Sequence, residues 1–217
     1  SGELTNHLLL SHVAKARVPV LLSTGMATMD EVRAGVEVTR ASGAPLAVFH
    51  CVSSYPAAPK DCNLRAMATM RAALSCPVGF SDHTLGPVVS VAAVAMGAEL
   101  IEKHLTLDCT MSGPDHRASL EPQSFRELVE AVRAVEAARG DGEKQPTAAE
   151  DDVRRVARRS LYWARAVQAG TVIDRVDLQA LRPANGLSPA GYLDVVGRRA
   201  ARNLAAGALV MPGDVGA

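Results

Sequence analysis

Residues 77–116 constrain the fold more than any other stretch of the sequence. Two short apolar runs, residues 77–80 and 100–101, each end abruptly in polar, ionisable side chains. Residues 86–97 between them are rich in alanine and valine and indicate a helix of small residues. Two buried strands joined by a helix form a βαβ unit, and such a unit requires parallel strands. The segment therefore predicts part of a parallel α/β sheet.

Both apolar runs end in a cluster of polar side chains, and the two clusters predict a site. The first cluster is Ser81, Asp82 and His83, and the second is Glu102, Lys103 and His104. In parallel α/β folds the ligand site lies at the carboxyl ends of the strands, which is where both clusters fall. If the two strands are neighbours, His83 and His104 lie side by side.

The two histidines permit two interpretations from the pattern alone. Histidine is the commonest transition-metal ligand, but two of them define no motif, and the pattern alone favours satisfied imidazoles near strand ends. Glu102 faces the same side of its strand as His104, because side chains alternate, and the pairing of a carboxylate with an imidazole favours a metal site modestly. Asp82 alternates away from His83 and is predicted to form a salt bridge or to support a ligand.

The order of strand and helix seen in this segment recurs along the chain. Strands are predicted at residues 18–22, 46–49, 77–80 and 100–101, and helices at 28–42, 63–74, 86–97 and 121–139. Continuous apolar runs of this kind suit strands that are covered on both faces. Thr28 and Glu31 satisfy the capping-box pattern at the start of the first of these helices.

Four strand–helix units are half of a parallel (β/α)8 barrel, the TIM barrel, which has about 250 residues when complete. The sequence begins at Ser1 without a methionine, inside what reads as structured sequence. We therefore expect an α/β fold in which residues 1–140 are the C-terminal half of a TIM barrel whose N-terminal half is missing.

The composition of the sequence changes after the last predicted helix. Residues 141–156 are polar and contain glycine and proline, so they are predicted to be a linker. Residues 157–217 consist of short segments in which Ala-Arg, Ala-Gly and Asp recur in the same order, first from Ala164 to Asp177 and then from Ala201 to Asp214. This pattern predicts a compact domain with a two-fold internal repeat.

Composition excludes several classes of function. Lys and Arg number 23, as do Asp and Glu, and aromatic residues make up 3% of the chain, so neither a patch that neutralises nucleic-acid phosphates nor a base-stacking surface is expected, and nucleic acid is not expected as a partner. The longest apolar stretch, residues 88–101, is interrupted by polar residues and too short to span a membrane. The four cysteines form no C-x-x-C pair, which favours free thiols in a reducing cytoplasm.

Further candidates stand at the ends of the other predicted strands. The hydroxyls of Ser23, Ser53 and Ser81 could bind an anion together with loop amides around Gly25, although serines at strand ends are more often turn residues. Tyr55 could cover a pocket or only a loop.

Two loops carry the remaining candidates. Asp115 and His116 form a turn beyond the last strand that could hold a polyol, although the pattern alone favours a solvated turn. Arg182 lies in a turn-rich loop of the C-terminal domain.

Short motifs along the whole chain resemble one family. They are SGELTN (1–6), LSTGMAT (22–28), HCVSSYPA (50–57), NLRAM (63–67), GFSDHTLG (79–86), IEKHLTLD (101–108), GPDHRASLEP (113–122), RRSL (158–161) and RPANGLSP (182–189). In this order they resemble the sialic acid synthase family, which comprises the N-acetylneuraminate synthases and their legionaminate and pseudaminate relatives. By the same resemblance, residues 157–217 are similar to the family's small β-rich antifreeze-like (SAF) domain.

The resemblance implies an aldol-like condensation of phosphoenolpyruvate with an N-acetylated hexosamine such as N-acetylmannosamine, with release of phosphate. The resemblance implies that His83 and His104 bind a divalent metal (Mn or Mg) and that Ser1, Ser23 and Ser81 bind phosphoenolpyruvate. It also implies that Glu102 lies beside the reacting carbons and that Tyr55 and Asp115 bind the sugar. Ser53 stands where the family often has asparagine, which leaves one phosphoenolpyruvate contact open. The resemblance implies that Arg182 reaches the N-acetyl group from the partner subunit of a domain-swapped homodimer.

Other interpretations remain open. The family's catalytic glutamate and phosphate-binding lysines lie on strands that this chain lacks. The chain alone is therefore not expected to catalyse the reaction. A catalytically inactive fragment, or a structural or sugar-binding module with an ice-binding-like tail, is therefore the alternative. For Arg182 the alternative is an ion pair with Asp177 or Asp194 inside its own domain. The sequence does not distinguish between the candidate sugars.

Overall fold

The computed structural model describes residues 1–216 and divides the chain into two compact units, residues 1–142 and the residues from 143 onward. The first unit contains α1 (His7–Ala14), β1 (Val20–Ser23), α2 (Met29–Arg40), β2 (Leu46–Cys51), α3 (Ala66–Leu74), β3 (Val78–Asp82), α4 (Val88–Ala95), β4 (Ile101–Lys103) and α5 (Pro122–Arg139). Its four strands pair in sequential order, all parallel, and curl into half of a barrel. The predicted fold class of this unit is thereby confirmed.

The strands end later along the chain than the apolar runs that predicted them. β3 continues through Ser81 to Asp82, and β4 continues to Lys103, because parallel backbone pairing extends beyond the apolar residues. Polar residues expected just after the strands therefore belong to the ladder. Their side chains point alternately to the two faces of the sheet.

The two faces of the sheet have different surroundings. Val48, Val78 and Phe80 face the helices and join the main apolar core with side chains such as Met67. On the opposite face, Gly79 leaves room for the neighbouring ring of Phe49, because a Cβ at Gly79 would lie 2.7 Å from the Phe49 Cδ1 atom.

The helix starts follow capping rules. At α2, the Thr28 N–H donates to the Glu31 carboxylate over 2.7 Å, and the Glu31 N–H donates back to the Thr28 hydroxyl over 3.4 Å, which confirms the predicted capping box. Within residues 1–216 no helix has both the length and the apolar character needed to cross a bilayer.

The second unit contains α6 (Asp151–Ala157) and an antiparallel pair, β5 (Ser160–Trp163) and β6 (Leu178–Leu181), with several single turns of 3-10 helix. Its own core surrounds the fully buried Trp163. Part of the segment predicted as a linker, residues 141–156, is thus helical, because Thr147 and Glu150 form a capping box that starts a turn leading into α6.

The predicted internal repeat of the second unit has a structural counterpart. The Arg165 guanidinium binds the Asp177 carboxylate, and Arg202 binds Asp214 in the same way, with Nη2 and Oδ1 2.7 Å apart. Ala164 N–H donates to the Asp177 carbonyl over 2.7 Å, and the equivalent bond from Ala201 to Asp214 measures 2.9 Å. The repeated residues therefore serve the stability of this unit.

Candidate active site

A cavity of about 370 Å³ opens at the carboxyl ends of the four parallel strands. This cavity is lined by every residue of the barrel half with an assigned substrate, metal or catalytic role except Asp115. Gly2, Met26 and Cys51 line it as well. The structure therefore brings together serines, histidines and a glutamate from widely separated parts of the sequence. This arrangement follows from the parallel topology, which places all four strand ends at one edge of the sheet.

Ser81 and Glu102 are direct neighbours across β3 and β4. The Ser81 hydroxyl donates to the Glu102 Oε1 atom over 2.6 Å, so the serine orients the carboxylate. The second carboxylate oxygen has no hydrogen bond to this serine. Glu102 is consequently held at the cavity while an acceptor oxygen is left for a bound molecule.

His83 and His104 face each other with ring centroids 5.2 Å apart and ring planes at 78°. Nδ1 of His83 lies 2.8 Å from the carbonyl oxygen of Val52, so in the neutral ring Nδ1–H donates to that carbonyl and Nε2 keeps its lone pair. Nδ1 of His104 lies 4.0 Å from Oδ2 of Asp115. The predicted juxtaposition of the two histidines is therefore present.

The donor set fits a divalent metal. Orientation of one ring nitrogen by a backbone carbonyl, with the other left as a ligand, is the usual support of a metal-binding histidine. No cluster of three or more His, Cys, Asp or Glu side chains that could hold a metal occurs in residues 1–216. An ion held by His83 and His104 would have to complete its coordination with oxygens of substrate or water.

Tyr55 covers both imidazoles from one side. Its ring centroid lies 4.1 Å from that of His83 and 5.7 Å from that of His104. Burial raises the pKa of the Tyr55 phenol, and the negative charges of Cys51, Asp115 and Glu102 raise it further. The phenol therefore stays protonated at neutral pH and offers a hydrogen-bond donor beside the histidines.

Cys51 is a site residue that the sequence analysis missed. It stands opposite Ser81 in the β2–β3 register, its Sγ atom lies 3.8 Å from His83 Nδ1, and it accepts a hydrogen bond from the Ser1 hydroxyl over 3.6 Å. Burial raises the pKa of Cys51, but bonding to His83, Ser1 and Ser81 outweighs burial and the pKa lies below its ordinary value. Strand alternation from Ser53 could have identified this thiol.

The pKa of His83 shifts in the opposite direction. Its hydrogen bond with Cys51 raises the pKa, burial opposes that change, and the Val52 carbonyl and the Glu102 charge raise the pKa again.

Ser1 and Ser53 converge over Gly25, which follows β1. The Gly25 N–H donates to the Ser1 hydroxyl over 3.0 Å. A Cβ at Gly25 would lie 2.1 Å from the Ser53 Oγ atom and 2.8 Å from the Ser1 Oγ atom, so only glycine permits this arrangement. Two serine hydroxyls therefore meet at one end of the cavity, and hydroxyl donors suit an anion.

The loop after β4 is anchored by hydrogen bonds, while residues 113–115 are exposed, as the pattern alone predicted for a solvated turn. The Thr106 hydroxyl donates to the Asp108 carbonyl over 3.1 Å and lies 2.8 Å from Nδ1 of His116, from which it accepts. The Ser119 hydroxyl donates to the Asp115 carbonyl over 2.7 Å. These bonds hold the Asp115 carboxylate, which is half exposed, beside His104.

Arg182 belongs to the second unit, and its side chain is not as free as its loop sequence indicates. Its Nε–H donates to the Ala157 carbonyl over 2.7 Å, which uses one donor of the guanidinium. Among the ion pairs of residues 1–216, Arg182 is paired neither with Asp177, which Arg165 binds, nor with Asp194. The predicted role of Arg182 toward a sugar stays a prediction.

The fold of the first unit, with its cavity at the carboxyl ends of the strands, defines the class of protein. It is a partial parallel barrel with a site of histidine, glutamate and serine side chains. Residues 1–144 match the model of the NeuB family, and residues 158–216 match the SAF domain. The chain belongs to the NeuB family, as the motifs indicated.

Individual relatives agree with this assignment. The N,N'-diacetyllegionaminic acid synthase of Legionella pneumophila is 41% identical over 216 residues, covering 97% of this chain and 61% of that protein. The synthase of the same name from Campylobacter jejuni is 41% identical, covering 94% of this chain and 62% of the relative. The crystal structure of the N-acetylneuraminic acid (sialic acid) synthetase of Leptospira borgpetersenii, 36% identical, superposes with a TM-score of 0.65 over 70% of this chain and 53% of that chain. The chain thus spans about three fifths of the length of the curated relatives that it matches.

Proposed function

We propose that the full-length protein condenses phosphoenolpyruvate with an N-acetylated hexosamine, N-acetylmannosamine or a related sugar, to a nonulosonic acid and inorganic phosphate. The observation that supports this most is the convergence of two histidines, Glu102 and several serine hydroxyls on one cavity. The relatives described above are synthases of nonulosonic acids by name, and their names specify N-acetylated products.

We assign phosphoenolpyruvate to the serine-rich end of the cavity. Ser1 and Ser53 meet there over Gly25, and Ser23 lines the same cavity at the end of β1. Hydroxyl and amide donors bind carboxylate and phosphate oxygens without placing a full charge near the enol carbons. Ser53 can donate a hydrogen bond through its hydroxyl, although the family often has asparagine at this position.

We assign the divalent ion, Mn or Mg, to His83 and His104. The free Nε2 atom of His83, whose Nδ1–H donates to the Val52 carbonyl, and the neighbouring ring of His104 would be the ligands. A divalent ion at this position supplies Lewis-acid polarisation of the sugar's aldehyde oxygen.

Glu102 has the role of managing the proton of the attacking water. In the reaction, C3 of phosphoenolpyruvate forms a bond to the aldehyde carbon, and the aldehyde oxygen takes a proton from solvent. Water then adds to the resulting cationic C2 and gives up one proton. The C–O bond to phosphate breaks with its electron pair leaving on the phosphate oxygen, and the hydroxyl at C2 loses its proton as the ketone forms. The Glu102 carboxylate, oriented by Ser81, can stabilise that cation and accept the proton of the water.

The sugar is assigned to the side of the cavity formed by Tyr55 and Asp115. Tyr55 covers both imidazoles, and Asp115 lies beside His104 on its anchored loop, so both can reach hydroxyls of an open-chain sugar bound next to the histidines. Arg182, with the N–H donors that Ala157 does not use, is proposed to bind the N-acetyl carbonyl from the partner subunit of a domain-swapped homodimer.

The test is a condensation assay with the full-length protein, phosphoenolpyruvate and N-acetylmannosamine or a diacetylated analogue. We expect phosphate release that depends on both substrates, is abolished by a chelator, and is restored by Mn²⁺ or Mg²⁺. His104→Ala should lose most of this activity, whereas His12→Ala, on the exposed surface of α1, should retain it. Chelator-resistant condensation, or full activity of His104→Ala, would remove the metal role of the histidines.

A further inference from the structure

One buried polar pair adjoins the site without lining it. Asp82 of β3 and Lys103 of β4 are partners in the strand register, and their charged atoms Oδ2 and Nζ are 3.1 Å apart. Both side chains are 0% exposed. They project from the face opposite to Ser81 and Glu102, so they do not contact a molecule in the cavity. We call Asp82 and Lys103 the buried pair.

Two of the remaining hydrogen bonds of the buried pair go to Thr84, the residue that follows His83. The Thr84 N–H donates to Asp82 Oδ1 over 2.8 Å, and the Lys103 ammonium donates to the Thr84 carbonyl. The second carboxylate oxygen of Asp82 also accepts from the Ser90 hydroxyl on α4. Both backbone polar groups of Thr84 are therefore bound by the buried pair.

His83 thus lies between two fixed points of the backbone. Asp82 precedes it in the strand, and Thr84 follows it with both polar groups bound. The carbonyl of His83 itself accepts from the Ala57 N–H over 2.9 Å. With its backbone held on both sides and its Nδ1 bonded to the Val52 carbonyl, the imidazole faces His104.

We propose that Asp82 and Lys103 are positioning residues for His83, holding the backbone of Thr84 so that the imidazole stays in place to bind the divalent ion. This inference rests on the proposed function, because it presumes that His83 is a metal ligand. It assigns to the buried pair a task that stability alone does not explain.

Energetic considerations favour this assignment. A fully buried ion pair contributes little net stability, since desolvation offsets its attraction, and apolar replacement of such pairs is often neutral. An apolar pair at these positions would, however, leave the buried N–H and carbonyl of Thr84 without partners. Only side chains that form hydrogen bonds can bind the backbone of Thr84 from the buried face of the sheet. The bonding to Thr84, and not the charge itself, is then what the site requires of these two residues.

The experiment compares two double variants of the full-length chain. Asp82→Leu/Lys103→Met removes both charges and both bonds to Thr84, whereas Asp82→Asn/Lys103→Gln removes the charges but keeps an acceptor for the N–H and a donor for the carbonyl. The readout is the dissociation constant of Mn²⁺ measured by electron paramagnetic resonance, without substrates. Loss of an outer partner of a metal ligand typically weakens binding about 10–100-fold, so we expect that loss in the apolar variant. The amide variant keeps both bonds to Thr84, so it should avoid that loss and bind Mn²⁺ about as the parent does.

Two further variants keep the test decisive. If the apolar variant does not fold, Asp82→Asn/Lys103→Met takes its place, because it loses only the donor to the Thr84 carbonyl and should show an intermediate loss of affinity. Thr84→Val should bind Mn²⁺ as the parent does, since the buried pair contacts the backbone of Thr84. Parent-like affinity in every folded variant that includes the Lys103→Met substitution would overturn the positioning role alone. A parent chain that does not bind Mn²⁺ would overturn the metal site and this inference together.

Discussion

Two neighbouring pairs of strand residues have opposite roles, although they are consecutive on each strand. Ser81 and Glu102, the inner pair, line the cavity, whereas the buried pair is enclosed beneath the same strands. Both pairs place an acid opposite a hydrogen-bond donor. Their difference arises only from strand alternation, which sends consecutive side chains to opposite faces.

Polarity at a strand end does not by itself identify a site, as these two pairs demonstrate. A polar group that faces the cavity can exchange its bonds with a ligand. A polar group that faces the helices must find all its partners within the protein, as Asp82 does with Lys103, Thr84 and Ser90. Substitutions in the two pairs should therefore separate folding from chemistry.

The largest effect is expected from breaking the buried pair on one side. Lys103→Met leaves the Asp82 carboxylate buried without its counter-charge, and such changes cost about 3–5 kcal/mol in the free energy of unfolding. Urea unfolding followed by circular dichroism measures this loss. Lys15→Met, at an exposed position after α1, should change stability by no more than about 0.5 kcal/mol. Equal stability of the two variants would contradict the assigned burial.

The inner pair should show the converse behaviour. Glu102→Gln keeps the shape of the side chain but removes the proton acceptor, so kcat of the condensation should fall about a hundredfold or more. The free energy of unfolding should change by about 1 kcal/mol or less, as expected for one hydrogen bond with a partly exposed partner. The matched control is Glu130→Gln on the exposed face of α5, which should alter neither quantity. An active Glu102→Gln enzyme would exclude the proposed role of this carboxylate.

A third polar pair, in the C-terminal unit, is intermediate between the other two. Asp177 is buried, but its partner Arg165 is largely exposed. Burial raises the pKa of the Asp177 carboxyl, and the Asp174 N–H and the Arg165 guanidinium lower it by more, so the pKa lies below its ordinary value. A carboxyl with a lowered folded pKa contributes stability above its unfolded pKa of about 3.9. That contribution is lost as the pH falls through the folded pKa.

Asp177→Asn should therefore destabilise the C-terminal unit at pH 7 by about 1.5–3 kcal/mol, the usual contribution of a hydrogen bond to a charged group. The difference from the parent should shrink as the pH falls below about 4, because the parent loses the same contribution. Thermal unfolding at a series of pH values measures both effects. Asp194→Asn, at an exposed position, serves as the control. A pH-independent difference between parent and variant would rule out the lowered pKa as its cause.

The sequence predicted the parts of the site that depend on strand periodicity. The βαβ pattern placed His83 beside His104, and alternation placed Glu102 on the same side as His104, as the cavity shows. Alternation also pointed Asp82 away from His83 toward a salt bridge. These inferences needed only the order of the strands and the two-residue period.

The remaining features depend on contacts that no local pattern encodes. Ser1 and Ser53 meet over Gly25 because three loops converge, and the sequence shows only three separate polar residues. The partner of Asp82 was not predicted, because the register that brings Lys103 opposite to it is set by the lengths of the strands and of α4. Tertiary hydrogen bonds, and not propensity, decide these positions.

The smallest effect is expected at Thr84, where the comparison between bonded and unbonded polar groups is sharpest. Its hydroxyl is the buried side-chain atom of residues 1–216 that lacks a hydrogen-bond partner. Thr84→Val removes this unsatisfied group with almost no change of shape, so we expect stability to stay the same or to rise by up to about 1 kcal/mol.

Thr39→Val is the matched control, because the equally buried Thr39 hydroxyl donates to the Gly35 carbonyl over 2.8 Å. That variant should lose about 0.5–1.5 kcal/mol, the net contribution of one hydrogen bond. If both variants lose stability equally in urea unfolding, the Thr84 hydroxyl has a partner in solution, and the backbone contacts of the buried pair are then not the only bonds that hold this turn.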